Sequence, residues 1–195
     1  MRPRLGILAA LTVLALAPRS FAGHHLWDTT EIFSNASGTV QFIEIFTADD
    51  NEQGIGPFSI TSGSNTFNFV TNCPTSMTAN HWVLVATSNF AALPGAVTPD
   101  YILPSNFFAT GGGTINYAGG VDVWNYGAVP TDGVHSLLRN GSTAVNSPTN
   151  FAGQSGSVDL SVVVPTLPTW GLVVMVGAFL VAASGLLRKR AAPSA

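Results

Sequence analysis

Val40-Gln-Phe-Ile-Glu-Ile-Phe46 decides the fold. Seven residues, rich in β-branched and aromatic side chains and nearly alternating, fit a pleated strand and make a poor helix. Gly38 precedes the run and Asp49-Asp50-Asn51 follows shortly after it, so it is bounded as a strand is.

Working outward, the same grammar repeats. Phe58 to Thr61 and Thr66-Phe-Asn-Phe-Val70 pair across Ser62-Gly63-Ser64-Asn65, and alternation puts Phe67 and Phe69 on one face. Trp82-Val-Leu-Val-Ala86 is a continuous apolar run, as expected of an inner strand, with room for a short helix at 87–93. Thr114 to Tyr117 and Val121-Asp-Val-Trp-Asn-Tyr126 flank Gly119-Gly120, a hairpin signal. Short strands with a turn signal every ten or so residues predict an all-β sandwich over residues 23–139. From Asn140 the composition turns to Gly, Ser, Thr and Asn, which reads as a loop or tether through 163, with a last strand from Val158 to Val164.

Both ends of the chain differ from this body. Residues 1–22 carry Arg2 and Arg4, an apolar run from Leu5 to Ala17, and Ser20-Phe21-Ala22. A basic start, a short apolar core and a small-x-small ending form a signal peptide, cut by signal peptidase between Ala22 and Gly23. At the other end Trp170 to Leu187 is uncharged, about 27 Å long as a helix and near the lower limit for a membrane span. Arg188, Lys189 and Arg190 follow as a basic stop, which keeps the last residues, 191–195, in the cytoplasm. The leader sends the body out and the basic stop holds the tail in, so the two topological signals agree.

The approach to that span is specific. Val164-Pro165-Thr166-Leu167-Pro168-Thr169-Trp170-Gly171 resembles the IPTL-CTERM sorting signal, a short Ile-Pro-Thr-Leu-Ser-Glu-Trp-Gly-like motif followed by an apolar helix and a basic cluster. Pro165, Thr166, Leu167, Trp170 and Gly171 match, Val164 replaces Ile, and Pro168-Thr169 stand where Ser-Glu is usual. The resemblance spans about 164–190. It implies recognition by an exosortase-type membrane peptidase, with the body passing from the periplasmic side of the inner membrane to the envelope or surface of a Gram-negative bacterium. Two prolines hold the approach extended, and Trp170 suits the membrane interface. A second resemblance covers the body. Gly38 to Phe46, Trp82 to Ala86, Gly111 to Ile115 and Val121 to Tyr126 are similar, in order and type, to a lamin-tail-type domain. That family is an immunoglobulin-like sandwich used for binding or attachment. Gly54-Ile-Gly-Pro57 stands here in place of its usual Ser-Gly-Trp turn.

Charge narrows the partners. All ten acids of the chain lie between Gly23 and Val164, where Arg139 is the one base, so the net charge of −3 conceals a body of −9. Such a surface repels phosphate, and nucleic acid is excluded as a partner. The partners expected are the membrane, the two peptidases and a surface or matrix ligand.

Catalysis finds little footing. Gly153-Gln-Ser-Gly156 lacks the closing glycine of a nucleophile elbow, since Ser157 stands there, and no H-E-x-x-H or phosphate loop occurs. The lone Cys73 fits a small buried core residue better than a nucleophile. The rival class, an envelope hydrolase or metal-dependent enzyme, requires His81 or His135 beside a carboxylate in a pocket. No resident cofactor is expected. Asp49 to Gly54 opens like an EF-hand, but Ile60 stands where the bidentate Glu is required, leaving only a looser calcium loop. A chain beginning Gly23-His24-His25 would offer an amine, two amides and the His25 imidazole to Cu(II) or Ni(II) in a square plane; against this stands the reading of two solvated histidines at a frayed end.

Overall fold

The structure is a computed structural model, and it describes residues 23–161. The leader, the sorting motif, the apolar run at 170–187 and the basic stop lie outside the described residues. Within them no helix is long and apolar enough to cross a membrane.

The body is all-β, with one short helix. Its strands are β1 (Asp28–Ser34), β2 (Gln41–Thr47), β3 (Ser59–Ser62), β4 (Asn65–Asn68), β5 (His81–Thr87), β6 (Tyr101–Leu103), β7 (Gly113–Tyr117), β8 (Asp122–Tyr126), β9 (His135–Leu138) and β10 (Thr143–Val145). Six form one sheet in the order β10-β9-β1-β2-β5-β6, and four form a second in the order β4-β3-β7-β8. Pairing is antiparallel except between β5 and β6. One hydrophobic cluster joins the sheets. Ile32, Ile43, Ile45, Val83 and Val85 of the first meet Ile60, Ile115, Tyr117, Trp124 and Tyr126 of the second. This is the two-layer packing of a β-sandwich.

The deciding stretch is β2, placed centrally between β1 and β5 with Ile43 opposite both Ile32 and Val85. Its alternation has a further consequence. Ile43 and Ile45 face the sandwich core, while Phe42 joins Phe33, Leu84, Ala86, Phe90, Val97 and Val158 in a second cluster on the outer face. The centre of the large sheet is therefore buried on both sides, which is why β5 reads as an unbroken apolar run. Phe33, Phe42 and Phe90 are fully buried there, each contributing about 1.5–3 kcal/mol by area. The helix α1 (Ser88–Ala91) supplies Phe90, and its N-cap Thr87 accepts a hydrogen bond from the Phe90 amide at 3.2 Å.

The predicted hairpins form. Ser62 pairs with Asn65 across the β3–β4 turn. The β7–β8 turn carries Ala118, Gly119 and Gly120 at φ of 49°, 68° and 111°; adjacent glycines meet that demand at little cost.

Of the segment 140–163 read as loop or tether, residues 140–161 are described, and they form a packed loop with one added strand. Thr143–Val145 adds a strand to β9, and the chain from Asn146 to Ser161 packs on the body instead of leaving it. Asn146 is the fastener: its Nδ2 donates to the Val134 and Val158 carbonyls (2.6 and 2.7 Å) and its Oδ1 accepts the Val158 amide at 2.8 Å. Val158 to Leu160 is not a strand; the Asn146 side-chain amide holds it in place of a ladder, and the Leu160 amide donates to the Gly133 carbonyl at 2.9 Å. The continuation to Val164 lies outside the described residues.

Candidate functional site

Three connections meet at one end of the sandwich: the β1–β2 loop at Ala36–Gly38, the β3–β4 turn, and the long loop from Asn106 to Gly112 leading into β7. They border a cleft of about 940 Å³. Its walls are pinned from beneath. The buried Gln41 of β2 accepts the Phe107 amide at 2.7 Å and donates to the Phe108 carbonyl at 2.8 Å. This fixes the loop and lets Phe107 and Phe108 plug the core below. Asn65 Nδ2 donates to the Asn106 and Phe107 carbonyls (3.1 and 2.8 Å), tying the turn to the loop. The Asn106 amide donates to the Gly38 carbonyl at 2.8 Å, and residue 38 sits at a φ of 68°, a left-handed conformation that favours glycine. Tyr126 closes one wall, its hydroxyl donating to the Ala109 carbonyl at 3.0 Å.

Among the described residues no Asp, Glu, His, Lys, Arg or Cys lines this cleft. Its polar surface is hydroxyl, amide and backbone, interleaved with the apolar Ala36, Phe107, Phe108 and Ala109, and Tyr126 is the one titratable group among the described lining residues. Burial raises the Tyr126 pKa, so the phenol stays neutral. Asn116 Oδ1, in the β7 wall, is buried and has no hydrogen-bond partner among the described residues. The arrangement suits hydrogen bonding to an uncharged ligand. It offers no group for proton transfer near neutral pH and no charge to select an ion.

A smaller cavity of about 240 Å³ lies between Cys73, Asp100, Tyr101 and Phe151. Burial pushes the Cys73 thiol up to about 12, with Asp100 adding to it, so the sulfur stays a thiol. Asp100 Oδ2 accepts the amides of Leu84 and Phe151 (2.8 and 2.9 Å), which binds the last segment to β5. Cys73 is thus the buried core residue that the sequence suggested.

The histidines do not build a site. His81 packs at a tilt against Phe151 with ring centres 4.7 Å apart, and its Nδ1 lies 3.0 Å from the Ala79 carbonyl. His135 does meet a carboxylate, Asp132, at 2.6 Å, but both are about half exposed on a turn and line neither cavity. The acidic turn is also spent internally: Asp50 Oδ1 accepts the Ala79 amide, and Glu52 turns toward the N-terminal segment. No group of three or more His, Cys, Asp or Glu capable of holding a metal occurs among the described residues. The start of the described chain is not frayed. The Gly23 nitrogen donates to the Asn51 carbonyl at 2.6 Å and His24 stacks on Phe58 at 3.4 Å, while His25 is exposed.

The cleft was not anticipated from the sequence. The signals available were Gly111-Gly112-Gly113 and the scatter of Asn and Ser at the turns, features shared by any loop. Compared with family models, curated proteins and solved structures, the chain matches none of them.

Proposed function

We propose that this chain is an exported envelope protein whose β-sandwich is a non-catalytic binding module. In this reading residues 1–22 direct export and are removed. The Val164–Gly171 motif with the 170–187 span and Arg188–Arg190 anchors or sorts the product through an exosortase-type peptidase. The sandwich, immunoglobulin-like and lamin-tail-like in strand order, is displayed for adhesion or surface interaction. What supports binding over catalysis is the uncharged cleft, rigidly built from three loops on a packed scaffold. Its chemistry fits a neutral hydroxyl- and amide-bearing polymer such as a glycan segment. A body of −9 disfavours polyanions.

The test uses Gly111, which lines the cleft and has no atom within 4 Å of an added Cβ. Gly111→Trp adds an indole at the cleft wall with no clash at its Cβ. Neutral hexose and N-acetylhexosamine oligomers should bind the wild type, and the variant should lose at least about tenfold in affinity, about 1.4 kcal/mol, with its melting temperature unchanged. No binding by the wild type, or equal binding by both, refutes the assignment.

A further inference from the structure

Glu52 is a buried carboxylate, 6 % exposed, without a side-chain cation among the described residues. Arg139, the one Arg or Lys of the body, is committed to Asp122 at 2.6 Å. Glu52 is rigidly held. Its amide donates to Thr78 Oγ1, its carbonyl accepts Trp27 Nε1 at 2.8 Å, and its Oε2 accepts the Leu26 amide at 3.2 Å. Oε1 receives no hydrogen bond among the described residues and is pressed against residue 23, where an added Cβ would lie 2.2 Å from it. Standard geometry puts a backbone nitrogen about 2.5 Å from its own Cβ position, so the Gly23 nitrogen lies no more than about 4.7 Å from Oε1. Residue 23 cannot swing away, because its carbonyl accepts the Gly54 amide at 2.9 Å and its nitrogen donates to Asn51 at 2.6 Å.

We propose that Glu52 is the receptor for the α-ammonium group created by cleavage between Ala22 and Gly23, so that removal of the leader completes an ion pair inside the folded body. The inference rests on the export reading given above. Hydrolysis breaks the Ala22–Gly23 C–N bond. Water supplies the oxygen of the Ala22 carboxylate, and its two protons leave Gly23 as –NH3+. One of the three N–H bonds keeps Asn51, a second turns to Glu52 Oε1, and the third meets solvent. An ammonium supplies the charge that an amide N–H lacks, and a charge-assisted bond at a buried carboxylate is about twice as strong as a neutral one. The glycine is explained as well, since any side chain would occupy the space the carboxylate needs.

The titratable groups around the amine are Glu52, whose carboxylate abuts residue 23, His24 and His25 beside it, and Tyr117, which feels the charge of Glu52. Burial, with His25 next, lowers the His24 pKa against the opposing pull of Glu52, so that ring is neutral where an amine titrates. The Glu52 carboxylate is therefore the charge beside the amine, and the pKa of the amine rises.

The experiment uses the chain from Gly23 to Ala195 in detergent. Lys189 is the only lysine, so an amine-acylating reagent sees two amines, one of them an internal reference. The α-amine of the wild type should titrate at least about one unit above the ordinary 7.7–8.0. At pH 7.5 it should acylate about tenfold more slowly than in Glu52→Gln, with Lys189 equal in both. A chain beginning at Ala22 keeps Glu52 but moves the amine one residue away, and should titrate normally; this comparison decides if Glu52→Gln fails to fold. An ordinary pKa in the Gly23 chain, or the same raised pKa in every chain, overturns the proposal. The N-terminus found by mass spectrometry in exporting cells tests the export reading separately: a start other than Gly23 sinks that reading, whatever the amine of the engineered chain does.

Discussion

Glu44 on β2 is 4 % exposed and stands opposite Glu31 of β1 in the sheet register. Both carboxyls grip the last segment. Glu31 accepts the Ser147 amide and hydroxyl (2.9 and 3.1 Å), and Glu44 accepts the Thr149 amide and the Thr30 hydroxyl, each at 2.8 Å. Burial raises the Glu44 pKa from 4.5 to about 7; the hydrogen bonds from Thr30 and Thr149 oppose the rise, and the charge of Glu31 adds to it. The sign follows from linkage. Between these two values the folded state binds the extra proton, so stability falls as pH rises. The contribution is complete below about pH 4.5 and gone above about 7. Two and a half units at 1.36 kcal/mol each amount to about 3 kcal/mol. Glu44→Gln keeps an acceptor for Thr149 and offers Thr30 a donor in place of the acid proton. Urea denaturation of residues 23–161 should find the variant equal to the wild type at pH 4.5 and more stable by up to about 3 kcal/mol at pH 8. Taking the difference between the two chains cancels the other groups, including Asp132, which its hydrogen bonds to His135 and Val134 hold down at about 2. A variant less stable than the wild type at pH 8, or a difference independent of pH, refutes the reasoning.

Two other outcomes follow from the buried groups. Arg139→Ala strands Asp122, 4 % exposed, with the Thr29 amide as its remaining donor. It should cost about 2–4 kcal/mol in urea denaturation, toward the low end for a buried pair because Arg139 is partly exposed, and Asp122→Asn in the same chain should recover more than half of the loss. Cys73, with its thiol near 12, should react with a thiol reagent at pH 8 at least about a hundredfold more slowly in the native than in the unfolded chain; equal rates would contradict its burial.

What the sequence revealed and what it hid divide along the range of the interactions. β2, β5 and the β3–β4 and β7–β8 hairpins were legible because alternation, apolar runs and turn glycines are local signals. β1 was missed because Asp28-Thr-Thr-Glu31 looks polar, yet Thr29 and Glu31 are buried by partners at Asp122 and Ser147, 93 and 116 residues away. The segment after Asn140 looked like a tether for the same reason. Its Asn and Ser side chains serve as internal hydrogen-bond donors and acceptors, and composition does not distinguish that use from solvation. β6, β9 and β10 have three or four residues each, too few for a period to register. The cleft depends on how Gln41 and Asn65 reach across to residues 106–108, which no spacing in the chain foretells.

In the proposed function an acidic, stranded body stands outside the inner membrane, between a leader that is removed and a tail that meets the bilayer. A reporter active only outside the cytoplasm, inserted near position 100 of the full chain in a Gram-negative host, tests it most directly. Activity there, on a product whose mass shows it starting at Gly23, is the predicted result. A silent reporter on a chain that retains residues 1–22 would contradict it.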